Sequence, residues 1–159
     1  HNSKIMKQIY LSIIFLIITG CGFKVINQGK LINFQIDEIK STGDKKINYK
    51  IKNKLLFISN DAGTELISID IKTDKNKTIK EKNIKNDITK YNVTIKVIVK
   101  IKDQNLKKLS EFTFSEKGDY AVASQHSQTI YNEKKITELL TTRLIDSIVD
   151  ELILRMNDF

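Results

Sequence analysis

Cys21 is the residue whose type and position predict a specific covalent reaction. It is the only cysteine among 159 residues, and it follows an apolar run from Ile9 to Ile18 that is preceded by Lys4 and Lys7. A positive segment, an apolar run and small residues before a cleavage point are typical of a secretory signal. As a helix the run would cover about 15 Å against about 30 Å of bilayer hydrocarbon, so we expect cleavage.

The residues next to Cys21 predict what happens to its thiol. Ile18, Thr19 and Gly20 resemble the bacterial lipobox, in which the cysteine is diacylated on sulfur, becomes the first residue after cleavage, and is acylated on its new amine. Several acyl chains, at about 0.8 kcal/mol per buried CH₂, give a stable membrane anchor. The other interpretation is a small buried cysteine behind an uncleaved apolar anchor. The residue after Cys21 is Gly22. An Asp at that position would favour retention in the inner membrane, so Gly22 favours the outer membrane.

The other chemistry-bearing residues predict no active site. One cysteine and two histidines are too few for a disulfide framework or a Cys/His zinc site. His126 stands alone in a polar segment, and no Gly-x-Ser-x-Gly surrounds Ser124 or Ser127. The carboxylate pairs Asp37-Glu38 and Asp150-Glu151 fall at solvent positions of their periodic segments. We therefore expect no enzymatic activity, no metal, and no cofactor beyond the diacylglycerol and N-acyl lipid of the lipobox cysteine.

The charge balance predicts the class of partner. Lys and Arg total 27 against 19 Asp and Glu, a net charge of +8. Only Arg143 and Arg155 are arginine, and an excess of Lys, Ile and Asn is what an AT-rich genome produces. Nucleic-acid recognition favours arginine at bidentate contacts, so we expect no nucleic-acid partner. The basic balance still favours anionic partners in general.

Apolar periodicity predicts the elements of the first half of the chain. Alternation over residues 31–39 predicts a strand, and apolar spacings of three and four residues predict an amphipathic helix over residues 47–58. Alternation returns over residues 64–73 and predicts a second strand. The polar residues 74–86 that follow are interpreted as a strand end and a long, mobile hairpin loop.

The second half of the chain predicts two further strands and a helix. Residues 91–102 alternate without a break, and a turn at residues 103–105 leads into a fourth strand over residues 106–115. A connecting segment then precedes a long helix with apolar residues at every fourth position from Ile136 to Met156. The order β-α-β-β-β-α predicts an α+β sandwich of two layers: a roughly four-stranded, mostly antiparallel sheet with two helices on one face.

Lysines predict a basic surface on this sheet. The opposite face would be polar, and six lysines of the strands and the hairpin loop would offer positive charge to an anionic glycolipid. The other interpretation is that these are solvated positions without a ligand. The six residues are Lys72, Lys75, Lys77, Lys96, Lys100 and Lys102.

Taken along its whole length, the chain resembles the lipopolysaccharide-assembly lipoproteins of the LptE (RlpB) type, in particular an alphaproteobacterial-like branch. The resemblance lies in Cys21-Gly22-Phe23, in residues 31–56, in the hairpin strands, and in residues 112–152. It implies a non-catalytic subunit that sits in the lumen of the large outer-membrane barrel LptD, assists the assembly of that barrel, and contacts lipopolysaccharide.

The resulting domain prediction has three parts. Residues 1–20 are a signal peptide that is removed, residues 21–30 are a lipidated tether, and residues 31–159 form one domain facing the periplasm at the outer membrane. One alternative function is a stand-alone periplasmic lipoprotein that binds or carries a lipid. A further alternative is a cytoplasmic nucleic-acid protein, which requires that the signal stays uncleaved.

Overall fold

The computed structural model describes residues 34–104 and 109–156. The predicted signal peptide, Cys21 and the tether lie outside the described residues, as do the predicted beginnings of the first and fourth strands. The elements along the chain are β1 (Phe34–Gly43), α1 (Lys45–Ile58), β2 (Glu65–Lys82), β3 (Ile88–Asp103), β4 (Leu109–Ala121) and α2 (His126–Met156). The predicted order β-α-β-β-β-α is therefore confirmed.

The four strands form one open, mixed sheet. They lie in the order β1-β2-β3-β4, with β1 parallel to β2 and the other two pairs antiparallel. The parallel pair follows from the connection, because α1 carries the chain back to the end of the sheet at which β1 began. The three later strands are joined by short connections and form an antiparallel meander.

The junction between β1 and α1 depends on one glycine and one aspartate. Gly43 has a φ of 97°, and a β-carbon at this position would overlap the backbone carbonyl oxygen of Thr73 on β2. Asp44 then caps α1, because its carboxylate accepts the backbone N–H groups of Lys46 and Ile47 at 2.9 and 3.0 Å. The chain can therefore leave the sheet and start a helix within two residues.

The core lies between the helices and one face of the sheet. Each strand places every second side chain on this face, and each helix contributes apolar residues at spacings of three or four. The predicted helix stripes are confirmed: Ile47, Ile51 and Leu55 are buried on α1, and α2 buries every fourth residue from Leu140 to Leu152. The buried apolar residues form one cluster; from the sheet they are Phe34, Ile36, Ile67, Ile69, Ile71, Val93, Ile95, Val97, Val99, Ile101 and Tyr120.

The prediction of a mobile loop over residues 74–86 is wrong. The strand β2 continues to Lys82, and its polar half pairs residue by residue with β3, for example Asn76 with Thr94 and Thr78 with Asn92. Backbone pairing needs no apolar side chains, so a polar stretch can extend a strand when its neighbour has already formed. For the same reason β4 continues beside β3 to Ala121, beyond the predicted end at residue 115. The helix α2 begins at His126, ahead of the predicted apolar stripe that starts at Ile136.

Candidate interaction face and the cluster around Glu133

The face of the sheet away from the helices carries polar side chains in rows that cross the strands. One row runs through Lys40, Asp70, Lys100 and Glu111, so that positive and negative charges alternate from β1 to β4. Neighbouring strands lie about 4.8 Å apart, which brings opposite charges into reach. The Nζ of Lys100 lies 3.0 Å from an Oε atom of Glu111. This row is therefore balanced in charge within the sheet.

Three other predicted lysines lie on the same open face. Lys72, Lys96 and Lys102 are exposed, and none makes an ion pair with another residue in the part of the chain that the structure describes. Lys96 pairs across the sheet with Asp74 and Lys102 with Ser68. The predicted polar, lysine-bearing face is thus present: Lys72 and Lys102 lie opposite no acidic residue in the register of the sheet, whereas Lys96 lies opposite Asp74.

A shallow depression of about 360 Å³ lies on this open face. Its charged lining is Lys40, Asp70, Lys72, Lys100 and Glu111. The lining also includes Ser41, Thr42, Ile71 and Ile98, and most of its exposed area is apolar. The depression therefore combines charged groups at its surface with apolar atoms and is open to water.

The structure places the other two predicted lysines on the opposite face. Lys75 and Lys77 point toward α2 rather than into a loop, because they continue the alternation that buries Ile69 and Ile71. The Nζ of Lys75 lies 3.2 Å from Glu133 Oε1, and the Nζ of Lys77 lies 2.9 Å from Glu133 Oε2. The six lysines are thus not one patch but two groups on different faces.

Aromatic residues complete the cluster around Glu133. The Tyr120 hydroxyl donates a hydrogen bond of 2.8 Å to Glu133 Oε2, and the rings of Tyr91 and Tyr120 stack with centroids 5.6 Å apart. The Lys77 Nζ also lies 5.0 Å from the centroid of the Tyr91 ring, in cation–π geometry. This cluster, made of Lys75, Lys77, Tyr91, Tyr120 and Glu133, fastens the outer half of the hairpin to the first turns of α2.

The electrostatics of the cluster favour the ionised carboxylate. Burial acts to raise the pKa of Glu133, but hydrogen bonds from Lys77, Tyr120 and Lys75 outweigh it and lower the pKa to about 2. The same contacts raise the pKa of Lys77, chiefly through its hydrogen bond to Glu133. At neutral pH Glu133 is therefore ionised and forms ion pairs with Lys75 and Lys77.

Glu133, Tyr91 and Tyr120 are not among the residues predicted to form a site, although the sequence carries signals for them. Glu133 lies four residues before Thr137 and seven before Leu140, in line with the buried stripe of α2. A charged residue in such a stripe needs a partner of opposite charge. The lysines at alternate positions 75 and 77 are those partners, but only the length of β2 brings them to the helix.

The remaining candidates stay apart from these groups. His126 is the exposed first residue of α2, and Ser124 and Ser127 are exposed beside it. Within residues 34–104 and 109–156, no group of three or more His, Cys, Asp or Glu side chains is arranged to hold a metal ion. The helices of this part of the chain are also too short or too polar to cross a membrane. The lipidation prediction for Cys21 is not tested.

No family model and no curated protein matches the chain, but solved structures share its fold. A minor lipoprotein from Acinetobacter baumannii is 9% identical with a TM-score of 0.57, and the match covers 79% of this chain and 96% of that protein. Rare lipoprotein B from Shewanella oneidensis is 12% identical with a TM-score of 0.54, covering 78% and 94%. Lipoprotein B from Nitrosomonas europaea is 14% identical with a TM-score of 0.53, covering 80% and 87%.

These likenesses extend over 87 to 96% of the solved chains. At identities of 9 to 14% they concern the fold, not the individual residues. The chain therefore has the fold of rare lipoprotein B, and the resemblance to the LptE (RlpB) type is confirmed at the level of the fold.

Proposed function

We propose that this protein is a lipid-anchored, non-catalytic subunit of an outer-membrane complex that exports lipopolysaccharide. In this proposal Cys21 carries the lipid anchor, the domain sits in the lumen of an LptD-type barrel and assists its assembly, and the open sheet face contacts lipopolysaccharide. The observation that carries the proposal is the fold shared with rare lipoprotein B.

The charged open face of the sheet supports the proposal of a partner with a polar interior. Large outer-membrane barrels have polar lumens, and some are filled by a plug. A plug needs an outer surface that forms ion pairs and hydrogen bonds rather than an apolar patch. The row from Lys40 to Glu111 offers alternating charges of this kind, and Lys72, Lys96 and Lys102 add positive charge for phosphate groups.

The packing of the core favours a plug over a stand-alone lipid carrier. A carrier of this fold would hold its ligand between the helices and the sheet, but that space is filled by side chains such as Phe34, Ile95 and Leu144, all fully buried. An acyl chain could enter only by displacing these residues.

Purification from the native envelope tests the proposal. Lipidated protein with a C-terminal tag, extracted from bacterial membranes in mild detergent, should bring down one large β-barrel in near-equal amount. The barrel is recognised by its slower migration on gels after heating. Recovery of small soluble proteins alone would contradict the proposal, as would recovery of the tagged chain without a partner.

A further inference from the structure

The helix α1 carries positive charge and no negative charge of its own. Five of its 14 residues are lysines, all of them exposed, and none is Asp or Glu: the lysines are Lys45, Lys46, Lys50, Lys52 and Lys54. The longer helix α2 differs, because its acidic residues outnumber its lysines and arginines. A general excess of lysine raises the lysine count of both helices but does not remove the acids from one of them. The one-sided charge is therefore a feature of α1 itself.

Carboxylates compensate little of this charge. Asp44 caps the first turn of α1, and Asp61 follows the helix in an exposed turn. From α2, an Oε atom of Glu138 lies 3.6 Å from the Nζ of Lys50, and both side chains are about half exposed. Within the described part of the chain, the other four lysines of α1 form no ion pair. The exposed side of α1 therefore offers positive charge to a partner.

The same exposed side carries large apolar side chains. Tyr49, Leu56 and Phe57 have relative exposures of 67, 47 and 78%, although the core stripe of α1 is already complete without them. The Lys54 Nζ lies 5.6 Å from the centroid of the Phe57 ring, so a cation and an exposed ring lie side by side. Helices that lie in a membrane interface combine Phe and Leu with lysines, whose long stems let the ammonium groups reach the headgroups.

The chain enters the domain beside the C-terminal end of α1. The backbone N–H of Asn60 donates to the carbonyl of Phe34 at 3.0 Å, and the backbone N–H of Ile36 donates to Ser59 Oγ at 2.9 Å. Phe34 follows Cys21 by thirteen residues, which span at most about 45 Å when fully extended. A lipid on Cys21 would therefore keep this end of α1 at a high effective concentration near the membrane.

We propose that the exposed side of α1 docks on the anionic phospholipid headgroups of the membrane that holds the anchor. Leu56 and Phe57 enter the interface, and the lysines of α1 face the phosphate groups. A lipid surface fits better than a protein pocket, because cations spread along the whole convex side of a helix match a continuous anionic surface. A face of this size holds a membrane weakly without an anchor, so the contact orients the anchored domain rather than fastening it.

The docking rests on the proposed function only for the lipid anchor, and it adds the orientation of the domain. Because α1 lies on the helix side of the sheet, a domain docked through α1 keeps the open face of the sheet directed away from the membrane. That face is then free to meet the barrel before the barrel encloses the domain.

Fluorescence quenching tests the docking. The chain contains no tryptophan, so a single introduced tryptophan reports on one position. Lipidated chain with Phe57→Trp is reconstituted into vesicles of phosphatidylcholine and phosphatidylglycerol in equal parts, with bromine on the acyl chains as the quencher. Tyr131→Trp on α2, at a side chain that is 56% exposed, is the matched control. We expect quenching at position 57 about threefold or more above that at position 131. In vesicles of phosphatidylcholine alone, it should fall to the level of the control.

Removal of charge tests the role of the lysines. Lys46→Gln together with Lys54→Gln should reduce the quenching at position 57 in anionic vesicles about twofold or more. Lys134→Gln together with Lys135→Gln removes the same charge from α2 and should leave the quenching unchanged. All four lysines are exposed, so thermal unfolding should remain that of the parent chain.

The opposite results contradict the docking. These are equal quenching at positions 57 and 131, equal quenching in neutral and anionic vesicles, or an equal response to the two lysine pairs. In cells that overproduce the chain, a photoreactive phenylalanine analogue at position 57 should form lipid adducts, and a protein adduct in their place would also contradict the docking.

Failure of the docking is distinguishable from failure of the proposed function. If the barrel is recovered by purification while position 57 is not quenched, the docking is wrong and the proposed function stands. If position 57 is quenched while no barrel is recovered, the docking stands and the barrel proposal is wrong.

Discussion

Lys77 on β2 and Glu133 on α2 lie 56 positions apart in the chain, and their side chains meet at 2.9 Å. The contact joins the outer half of the hairpin to the start of the long helix. It also shows that two of the six lysines predicted to offer charge to an anionic glycolipid serve a different role, because Lys75 and Lys77 both form ion pairs with Glu133 on the helix side.

Replacement of Glu133 by Gln should loosen the hairpin. The substitution leaves two lysines without their carboxylate, and we expect the free energy of unfolding at pH 7 to fall by about 2 kcal/mol. This is less than the free energy that corresponds to the full pKa shift of Glu133, because the two ion pairs are partly exposed to solvent. Urea unfolding followed by circular dichroism measures the change. Glu138→Gln is the matched control on the same helix, since its ion pair with Lys50 is longer, at 3.6 Å, and more exposed. Equal losses in the two variants would contradict the role of the cluster.

The stability of the protein should depend on pH in the acid range. The pKa of Glu133 is lowered to about 2 in the folded chain from 4.5, so its contribution is complete above about pH 4.5 and is lost as the pH falls toward 2. Burial raises the pKa of Glu65, and the nearby charge of Asp103 raises it further. Ionisation of Glu65 therefore destabilises the fold as the pH rises past the ordinary pKa of a glutamate.

Unfolding midpoints measured between pH 2 and pH 7 check both signs. Glu133→Gln should reduce the loss of stability at acid pH, and Glu65→Gln should increase stability at pH 7. A wild-type protein that is as stable at pH 2.5 as at pH 6 would exclude the assignment for Glu133.

Replacement of Gly43 by Ala should be strongly destabilising. The added β-carbon meets backbone, the Thr73 carbonyl, and the φ of 97° is unfavourable for alanine. We expect a loss of about 2 kcal/mol or more in unfolding free energy. Gly118→Ala is the control, because the β-carbon there would meet only side-chain atoms of Ile136 and Leu140, which can move. The order of stabilities should be wild type, then Gly118→Ala, then Gly43→Ala.

Charge reversal on the open face should weaken binding of lipopolysaccharide. We expect the triple variant Lys72→Glu, Lys96→Glu, Lys102→Glu to bind about tenfold more weakly, because three exposed cations on one face become anions. Lys45→Glu, Lys52→Glu, Lys54→Glu on α1 changes the net charge equally on the other side of the molecule. Binding to purified lipopolysaccharide is measured by light scattering or fluorescence at fixed ionic strength. Equal weakening in both triples would mean that net charge alone is responsible.

Replacement of Cys21 by Ser should release the protein from the membrane. Without the thiol no diacylglycerol can be attached, so the variant should move from the membrane pellet to the soluble fraction of lysed cells. Intact-mass spectrometry of the wild-type protein should show a chain that begins at Cys21 and carries three acyl chains. A wild-type mass that fits the unprocessed, unmodified chain would contradict the lipid anchor.

Several features of the fold were predictable because side-chain periodicity reports burial. The unbroken alternation of β3 and the fourfold spacing on α2 each place a continuous apolar face on one side of an element, and both elements lie where the pattern indicates. The order of elements and the α+β class follow from these patterns. The polar half of β2 was missed because no apolar residue lies between Ile71 and Ile79, although Lys75 and Lys77 keep the same alternation.

By itself, the sequence determined the order of the elements and the faces that become buried, since these depend on residue types at local spacings. The lipobox at Cys21 is a prediction of the same local kind. Tertiary structure alone decided which lysines share a face, because that depends on how far β2 continues beside β3 and on the position of α2 above it. It also decided that Phe57 remains in solvent, because the exposure of a side chain depends on every element that could have covered it.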